Sequence, residues 1–150
     1  MRNLILTFVA AVVVASPPAV ADTGPLVTVK QFITNFNQGN EKAALALCAT
    51  PASVIDEFPP HQWQGPTACA DWVRDLDAFD KRAGITDGIV VLGKTWQVDV
   101  TGDRAYVVAP ATYRYKQRGA VRMETGSIFT VVLRRSTPGW RITGWAWAKH

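Results

Sequence analysis

The chain has 150 residues, a formal net charge of +4 and 48% hydrophobic residues. This length fits one domain with enough apolar surface for its own core. The chain has no dense lysine or arginine run and no aromatic motif typical of nucleic-acid binding, so we predict no nucleic-acid partner. Its two histidines, His61 and His150, form no spaced cluster with the cysteines, so we expect neither a metal nor a cofactor.

Residues 1–21 have the layout of a secretory signal peptide. Arg2 is followed by an apolar run, Leu4–Ala15, and Ala19-Val20-Ala21 has the small-x-small pattern of a cleavage site. The apolar run is shorter than the roughly 20 residues that span a bilayer, and two prolines follow it. We therefore expect cleavage after Ala21, a secreted or periplasmic protein, and no membrane attachment of the mature chain.

Charge is distributed unevenly along the mature chain. Residues 22–84 contain five Lys/Arg and eight Asp/Glu, a net −3, whereas residues 85–150 contain ten and four, a net +6. The basic half would suit an anionic ligand or surface. Solvated outer faces of strands carry such charges more often, and that interpretation is favoured.

Cys48 and Cys69 are the two cysteines of the chain. Export to an oxidising compartment favours a disulfide between them, which would close a loop of about 20 residues. Each cysteine also falls on the apolar face of a predicted helix, where a free thiol packs as a small hydrophobe. The sequence leaves both alternatives open.

Helical periodicity dominates the first half of the mature chain. Apolar residues three and four apart follow Pro25, which suits a first helical turn, and Gly39 suits the position after the helix ends. Asn40 is a predicted N-cap for a second helix, which Thr50-Pro51 stops. The predicted elements are helices at 25–38, 41–49 and 66–83, with a short strand at 52–58 and a loop at 61–64.

Alternating apolar and polar residues dominate the second half. Four long strands are predicted, at 87–100, 104–117, 121–135 and 140–149. The third strand places Met123 with Phe129 on one face and Glu124 on the other. Pro110 cannot donate a hydrogen bond, so we expect a bulge or a sheet edge there. Bends or close approaches are expected at three glycines, Gly93, Gly126 and Gly144.

Together these elements predict an α+β domain over residues 22–150. Strands of this length coil and enclose something, and three helices of the same chain are available to pack on them. We expect the helices to pack on a strongly curved, mainly antiparallel sheet of four long strands and one short strand. The domain would have the shape of a cone or bowl.

This arrangement resembles the nuclear transport factor 2-like, or SnoaL-like, superfamily, which has a cone-shaped cystatin-like fold. Phe32–Asn40 is similar to the family's first helix with its N-x-G-[DN] turn, and Ser53–Asp56 is similar to its short strand ending at an acid. Trp63–Pro66 before the long helix and the terminal Trp140-Arg141-Ile142 complete the resemblance. It covers nearly all of residues 25–149.

The resemblance implies a fold more than a function, because the superfamily includes isomerases, cyclases, dehydratases and epoxide hydrolases beside non-catalytic binding modules. In its isomerase-like members, a carboxylate at the position of Asp56 abstracts a proton next to a carbonyl. A tyrosine and a protonated aspartate then stabilise the enolate. The matching positions here are Phe32 and the region of Val131, which are apolar, so a steroid-isomerase mechanism is disfavoured.

Asp56 and His61 are the candidate catalytic residues, as a general base and its partner. The alternatives are a strand-end carboxylate satisfied by loop amides and a solvated loop histidine. We also expect an aromatic pocket, although aromatic side chains in a sheet more often form a core or a dimer face. Its predicted lining comprises Phe36, Trp63, Trp72, Trp96, Tyr113, Phe129 and Trp145.

The function predicted first is an exported domain without chemistry, which either binds a small hydrophobic molecule or serves as an accessory module. The second is a cofactor-free lyase, isomerase or hydrolase that acts on a small hydrophobic substrate with Asp56 as base. The third is a purely structural or dimerising domain, and a homodimer would form through the sheet.

Overall fold

The computed structural model describes residues 24–149, so the predicted signal peptide lies outside the described residues. The helices are α1 (Pro25–Asn37), α2 (Glu41–Leu45) and α3 (Ala68–Ala83). The strands are β1 (Cys48–Ile55), β2 (Gln62–Gly65), β3 (Ile85–Leu92), β4 (Gln97–Thr101), β5 (Arg104–Gln117), β6 (Ala120–Ser136) and β7 (Gly139–Lys149). Within the described residues, no helix has the length and apolar character needed to cross a membrane.

All seven strands form one sheet in the order β2-β1-β7-β6-β5-β3, and β4 also pairs with β5. Strands β1 and β7 are parallel, whereas the other pairs are antiparallel. Helices α1 and α3 pack against this sheet and bury an apolar core. The domain is therefore α+β with a curved sheet, as predicted, although the sheet has more strands than the sequence indicated. The most deeply buried core side chains are Val29, Val54, Val107, Val131 and Ile142.

The prediction of one long strand at 87–100 is wrong. In the structure this segment forms two strands, which pair with β5 on either side of Pro110. Leu92 of β3 pairs with Ala111, and Gln97 of β4 pairs with Val108. The Gly93 N–H donates to the Pro110 carbonyl at 2.8 Å, so the edge of Pro110 that lacks an N–H faces this break. The missing N–H of Pro110 therefore interrupts the pairing on one edge of β5, between β3 and β4, and leaves the pairing of β5 with β6 intact.

Strand β6 contains a bulge that exchanges its two faces. Thr125 and Gly126 both lie opposite Thr112 of β5, and Gly126 has φ +82°, a left-handed conformation that suits glycine. The extra residue shifts the alternation of side chains. Glu124 therefore lies on the concave face, whereas Met123 is 64% exposed, the reverse of the sequence prediction.

Long-range pairing also changes the predicted elements near the N-terminus. Helix α2 ends at Leu45, and Cys48 begins β1 instead of lying on a helix face. Most of the predicted loop is β2, in which Gln64 pairs with Ser53. Gly144 permits the close approach of β7 and β1, since a Cβ there would lie 2.6 Å from the Ser53 carbonyl oxygen. Tertiary pairing has overridden local helix propensity in this region.

A disulfide joins Cys48, at the start of β1, to Cys69, in the first turn of α3. The two Cα atoms are 6.8 Å apart and the residues are separated by 21 positions in the sequence. The bond therefore connects the third helix to the strand that leads to Asp56.

Replacement of both cysteines by serine is expected to lower the free energy of unfolding by about 3 kcal/mol, because the unfolded chain loses a cross-link. Urea denaturation measures this change, with Ala70→Ser, an exposed neighbour of Cys69, as the control. Reduction of the native protein should also add the mass of two hydrogens. An unchanged mass after reduction would show that the bond is absent.

Candidate functional site

A cavity of about 380 Å³ lies between the helices and the concave face of the sheet. Side chains of α1, α3, β3, β5, β6 and β7 line it, together with the loop that follows β1. Its walls are mainly aromatic and apolar. The structure places five of the predicted aromatic residues in this lining: Phe36, Trp72, Tyr113, Phe129 and Trp145.

The other two predicted aromatic residues lie elsewhere, so their assignment to the pocket is corrected. Trp63 is buried on β2, and its indole N–H donates to Asp75 of α3 at 2.9 Å. Trp96 lies in the connection between β3 and β4 and is 61% exposed. Neither position follows from local periodicity. Trp63 is in a segment predicted as a loop, and Trp96 is in a predicted strand that the structure divides into β3 and β4.

Asp56 lines the cavity at the end of β1, where the parallel strand β7 fixes its position. The indole N–H of Trp72 donates to Asp56 Oδ2 at 2.9 Å, and the Glu57 backbone N–H donates to Oδ1 at 2.7 Å. Both oxygens of the carboxyl group are thus oriented, one by α3 and one by the loop. These contacts also satisfy much of the carboxylate's hydrogen-bonding capacity.

Burial raises the pKa of Asp56 from its ordinary value of 3.8 to about 6. The hydrogen bonds from Trp72 and from the Glu57 backbone act in the opposite direction, because they stabilise the charged form. Desolvation is the larger effect. The carboxyl group therefore changes charge within the range in which a general base operates near neutral pH.

His61 is not part of the cavity lining, so the predicted pair of Asp56 and His61 does not form one site. The His61 side chain is exposed, and its Nδ1 lies 3.3 Å from the Asp56 main-chain carbonyl oxygen and not from the carboxylate. The backbone of His61 has φ +72°, and its carbonyl accepts from the Asp56 N–H. Its position indicates a turn residue at the rim.

Asp80 and Tyr113 provide further polar groups in the cavity. Burial raises the pKa of Asp80 to about 6, and the nearby charge of Asp77 adds to this increase. Burial also raises the pKa of Tyr113, with smaller contributions led by Asp80, so its hydroxyl group stays protonated and can donate. The Tyr113 ring lies against Gly88, where a Cβ would come within 2.5 Å of the hydroxyl oxygen.

Asp80 lines the cavity, although the residues predicted for the pocket from the sequence did not include it. The signal that would have identified it is helical spacing, since Asp80 follows Trp72 by eight positions and Leu76 by four. All three side chains line the cavity. An acidic residue at the helical spacing of an apolar stripe therefore indicates a polar group in the cavity on this helix.

A charged network lies at the rim of the cavity. The Lys149 ammonium is 3.2 Å from Glu57 and 3.0 Å from Glu124, and the Tyr115 hydroxyl donates to Glu124 at 2.8 Å. These contacts connect the end of β7 with β5, β6 and the loop after β1. Within residues 24–149, no group of three or more His, Cys, Asp or Glu side chains is arranged to hold a metal ion.

The raised pKa of Asp56 predicts that stability falls as the pH rises from about 4 to about 6. Over this range the unfolded carboxyl group ionises while the folded one still holds its proton. The loss is at most about 3 kcal/mol for a shift of this size. Urea denaturation across pH should show a smaller decline for Asp56→Asn than for the unchanged protein.

The control for this comparison is Asp99→Asn, an exposed residue of β4 that should leave the decline unchanged. Asp80 contributes with the same sign, so the double variant of Asp56 and Asp80 should flatten the profile further. Asp71, Asp75 and Asp103 have lowered pKa values, and their contribution is lost below pH 4, outside this window. An identical profile in Asp56→Asn would contradict the assignment.

Comparison with known proteins gives similarity in structure only, because no family model and no curated protein matches the sequence. The chain is similar to a nuclear transport factor 2-like protein with a cystatin-like fold from Novosphingobium aromaticivorans. The TM-score is 0.64 and the identity 18%, and the alignment covers 81% of this chain and 77% of that one.

Two further solved structures share this similarity. One is a ketosteroid isomerase-like protein from Erwinia carotovora atroseptica, with TM-score 0.64, 18% identity, and coverage of 83% of this chain and 92% of that one. The other is a hexachlorocyclohexane dehydrochlorinase, LinA-type3, from Novosphingobium barchaimii, with TM-score 0.67, 12% identity, and coverage of 81% and 80%. The chain therefore has the nuclear transport factor 2-like, cystatin-like fold that its sequence predicted.

Proposed function

We propose that this domain binds a small, mainly apolar molecule in the cavity between α1, α3 and the concave face of the sheet. The observation that carries this proposal is the cavity itself, which keeps about 380 Å³ open within an otherwise packed core. A volume of this size, apolar walls and a few inward polar groups are typical of small-molecule sites. The predicted signal peptide supports the further proposal that binding takes place outside the cytoplasm.

Aromatic packing supports a pocket that is formed before the ligand arrives. Trp145 packs edge-to-face on Trp72 with ring centroids 5.1 Å apart, and Phe32 lies 5.2 Å from Trp145. Phe36 contacts Trp72 at 5.4 Å on the other side. Rings that hold one another in this way cannot collapse into the space beside them, so the ligand would meet a rigid wall.

Ala83→Leu is expected to weaken binding of an apolar ligand, because Ala83 lines the cavity near the end of α3 and the larger side chain would occupy ligand space. The expected loss of affinity is about tenfold or more, and a tenfold loss corresponds to roughly 1.4 kcal/mol of binding free energy. Tryptophan fluorescence measures binding of naphthylmethanol, since Trp72 and Trp145 line the cavity.

The control is Ala78→Leu, which makes the same substitution on the exposed side of the same helix. It should bind naphthylmethanol as the unchanged protein does. Native mass spectrometry of protein purified from its own source would show any ligand that it retains. Equal affinities for both leucine variants would argue against the cavity as the binding site.

A second function, proton transfer by Asp56, is favoured by one specific observation. The Asp56 carboxyl group faces an apolar cavity with a pKa of about 6, and Trp72 and Glu57 hold its oxygens. In such a reaction Asp56 would take a proton from a carbon next to a carbonyl group. The Tyr113 hydroxyl would donate a hydrogen bond to the resulting enolate oxygen, and the proton would return to carbon.

This mechanism would differ from that of the isomerase-like members described above. Phe32 packs against Trp145 and Val131 is fully buried, and neither apolar side chain has a hydrogen-bond donor. Tyr113 of β5 provides a donor from a different part of the wall. The names of the similar solved structures describe those proteins and do not assign this reaction to the chain.

Proton abstraction predicts that the protein catalyses exchange of the methyl protons of acetonaphthone with solvent deuterium, measured by NMR. Asp56→Asn should slow the protein-dependent exchange by about a hundredfold, the scale of general-base catalysis. His61→Ala should leave the rate unchanged, because the His61 side chain is exposed outside the cavity. Exchange that survives Asp56→Asn would exclude Asp56 as the base.

The homodimer predicted from the sequence stays a prediction. Val91, Tyr106 and Val132 are exposed, and their neighbours in sequence contribute the inward face, so these side chains lie on the outer face of the sheet. Exposed apolar side chains on one face suit association between protein surfaces. Native mass spectrometry of the purified domain measures its oligomeric state.

A further inference from the structure

The charge of the cavity is opposite to the charge of the domain. Residues 24–149 contain fifteen Lys/Arg and eleven Asp/Glu, so the described domain is basic. The cavity lining nevertheless includes four acids and a single basic residue, Lys149. Negatively charged side chains are therefore concentrated at the site where a ligand would bind, although the domain as a whole is basic.

The single lysine leaves two of these acids without a cationic partner. Lys149 contacts Glu57 and Glu124 at the rim, at 3.2 and 3.0 Å. Among the described residues, neither Asp56 nor Asp80 forms a salt bridge. Their charged forms therefore lie at the wall of an apolar space with no protein cation to balance them, which is costly unless a ligand supplies one.

The rest of the wall is also suited to a positive charge. Trp72, Trp145 and Tyr113 present aromatic surfaces to the same cavity as Asp56 and Asp80. Aromatic faces attract cations through their quadrupole, and this attraction strengthens where water is excluded. Two carboxylates and several aromatic rings around one cavity form the combination that recognises an ammonium group on an apolar body.

We propose that the cavity selects a small lipophilic amine in its protonated form, with the ammonium group held by Asp56 and Asp80 and the apolar body against the aromatic wall. This inference rests on the proposed binding function and names the chemical class of its ligand. The Trp72–Asp56 hydrogen bond fixes one carboxylate, and helix α3 carries the other. An anionic ligand is disfavoured by the same charges, and a neutral one leaves both carboxylates unpaired.

The test compares three ligands of similar shape that differ in charge: naphthylmethylamine, naphthylmethanol and naphthoate. Tryptophan fluorescence would be measured near pH 8, where the amine is protonated and both carboxyl groups are ionised. The expected order is amine, alcohol, carboxylate, with the amine bound at least about tenfold more tightly than the alcohol.

Substitutions of acidic residues test which carboxylate is responsible for the preference for the amine. Asp80→Asn should reduce the affinity for the amine by about tenfold and the affinity for the alcohol by much less, because the amide removes the charge but keeps a hydrogen-bonding group. Asp77→Asn, an exposed acid on the same helix, should reduce amine affinity far less than Asp80→Asn does and leave alcohol affinity unchanged. Asp56→Asn should reproduce the selective loss, because both carboxylates hold the ammonium group, and an unchanged amine affinity in this variant would overturn the role of Asp56.

The outcomes separate this inference from the function on which it rests. Alcohol binding that equals or exceeds amine binding, and that Ala83→Leu weakens, would overturn the cation preference and retain the cavity as a binding site. Equal loss of amine affinity in Asp77→Asn and Asp80→Asn would also overturn it, since the effect would then be general electrostatics. Failure of all three ligands to bind would remove the proposed function and the inference together.

Discussion

The hydrogen bond between the Trp72 indole and the Asp56 carboxyl group is the interaction on which the site depends. It joins the second turn of α3 to the residue that follows β1 at 2.9 Å, in a cavity wall that is mainly apolar. Burial alone would push the carboxyl group further toward its neutral form. The indole and the Glu57 N–H hold it near the point where both forms are accessible at physiological pH.

The cavity stays open because the surrounding aromatic rings pack against one another. Trp72 both donates to Asp56 and contacts Trp145 and Phe36, so one residue supports the shape of the wall and the orientation of the carboxylate. The disulfide between Cys48 and Cys69 connects the same two elements, at the start of β1 and one turn before Trp72 in α3. The shape of the cavity wall, the orientation of the Asp56 carboxylate and the disulfide therefore all depend on the contact between α3 and β1.

Local patterns predicted the element types well where periodicity was long and regular. Helices α1 and α3 and strands β5, β6 and β7 correspond closely to their predicted ranges. The prediction was wrong where pairing with a distant strand decided the outcome, as for Cys48, which begins β1 opposite Ile142 of β7. It was wrong again at Met123, because a single extra residue in a strand reverses every side chain beyond it.

By itself, the sequence determined the α+β class from residue type and spacing, which are local and readable along the chain. Its resemblance to a known family implied the nuclear transport factor 2-like fold and Asp56 as an acid at a strand end. The tertiary structure decided which polar groups share the cavity: it brought in Asp80, Tyr113 and Glu124 and left out His61. Those placements depend on the bulge in β6, the rotation of α3 against the sheet and the turn after β1. Such features arise from packing between segments that are far apart in sequence, and of these residues only Asp80 has a local signal, its helical spacing from Trp72 and Leu76.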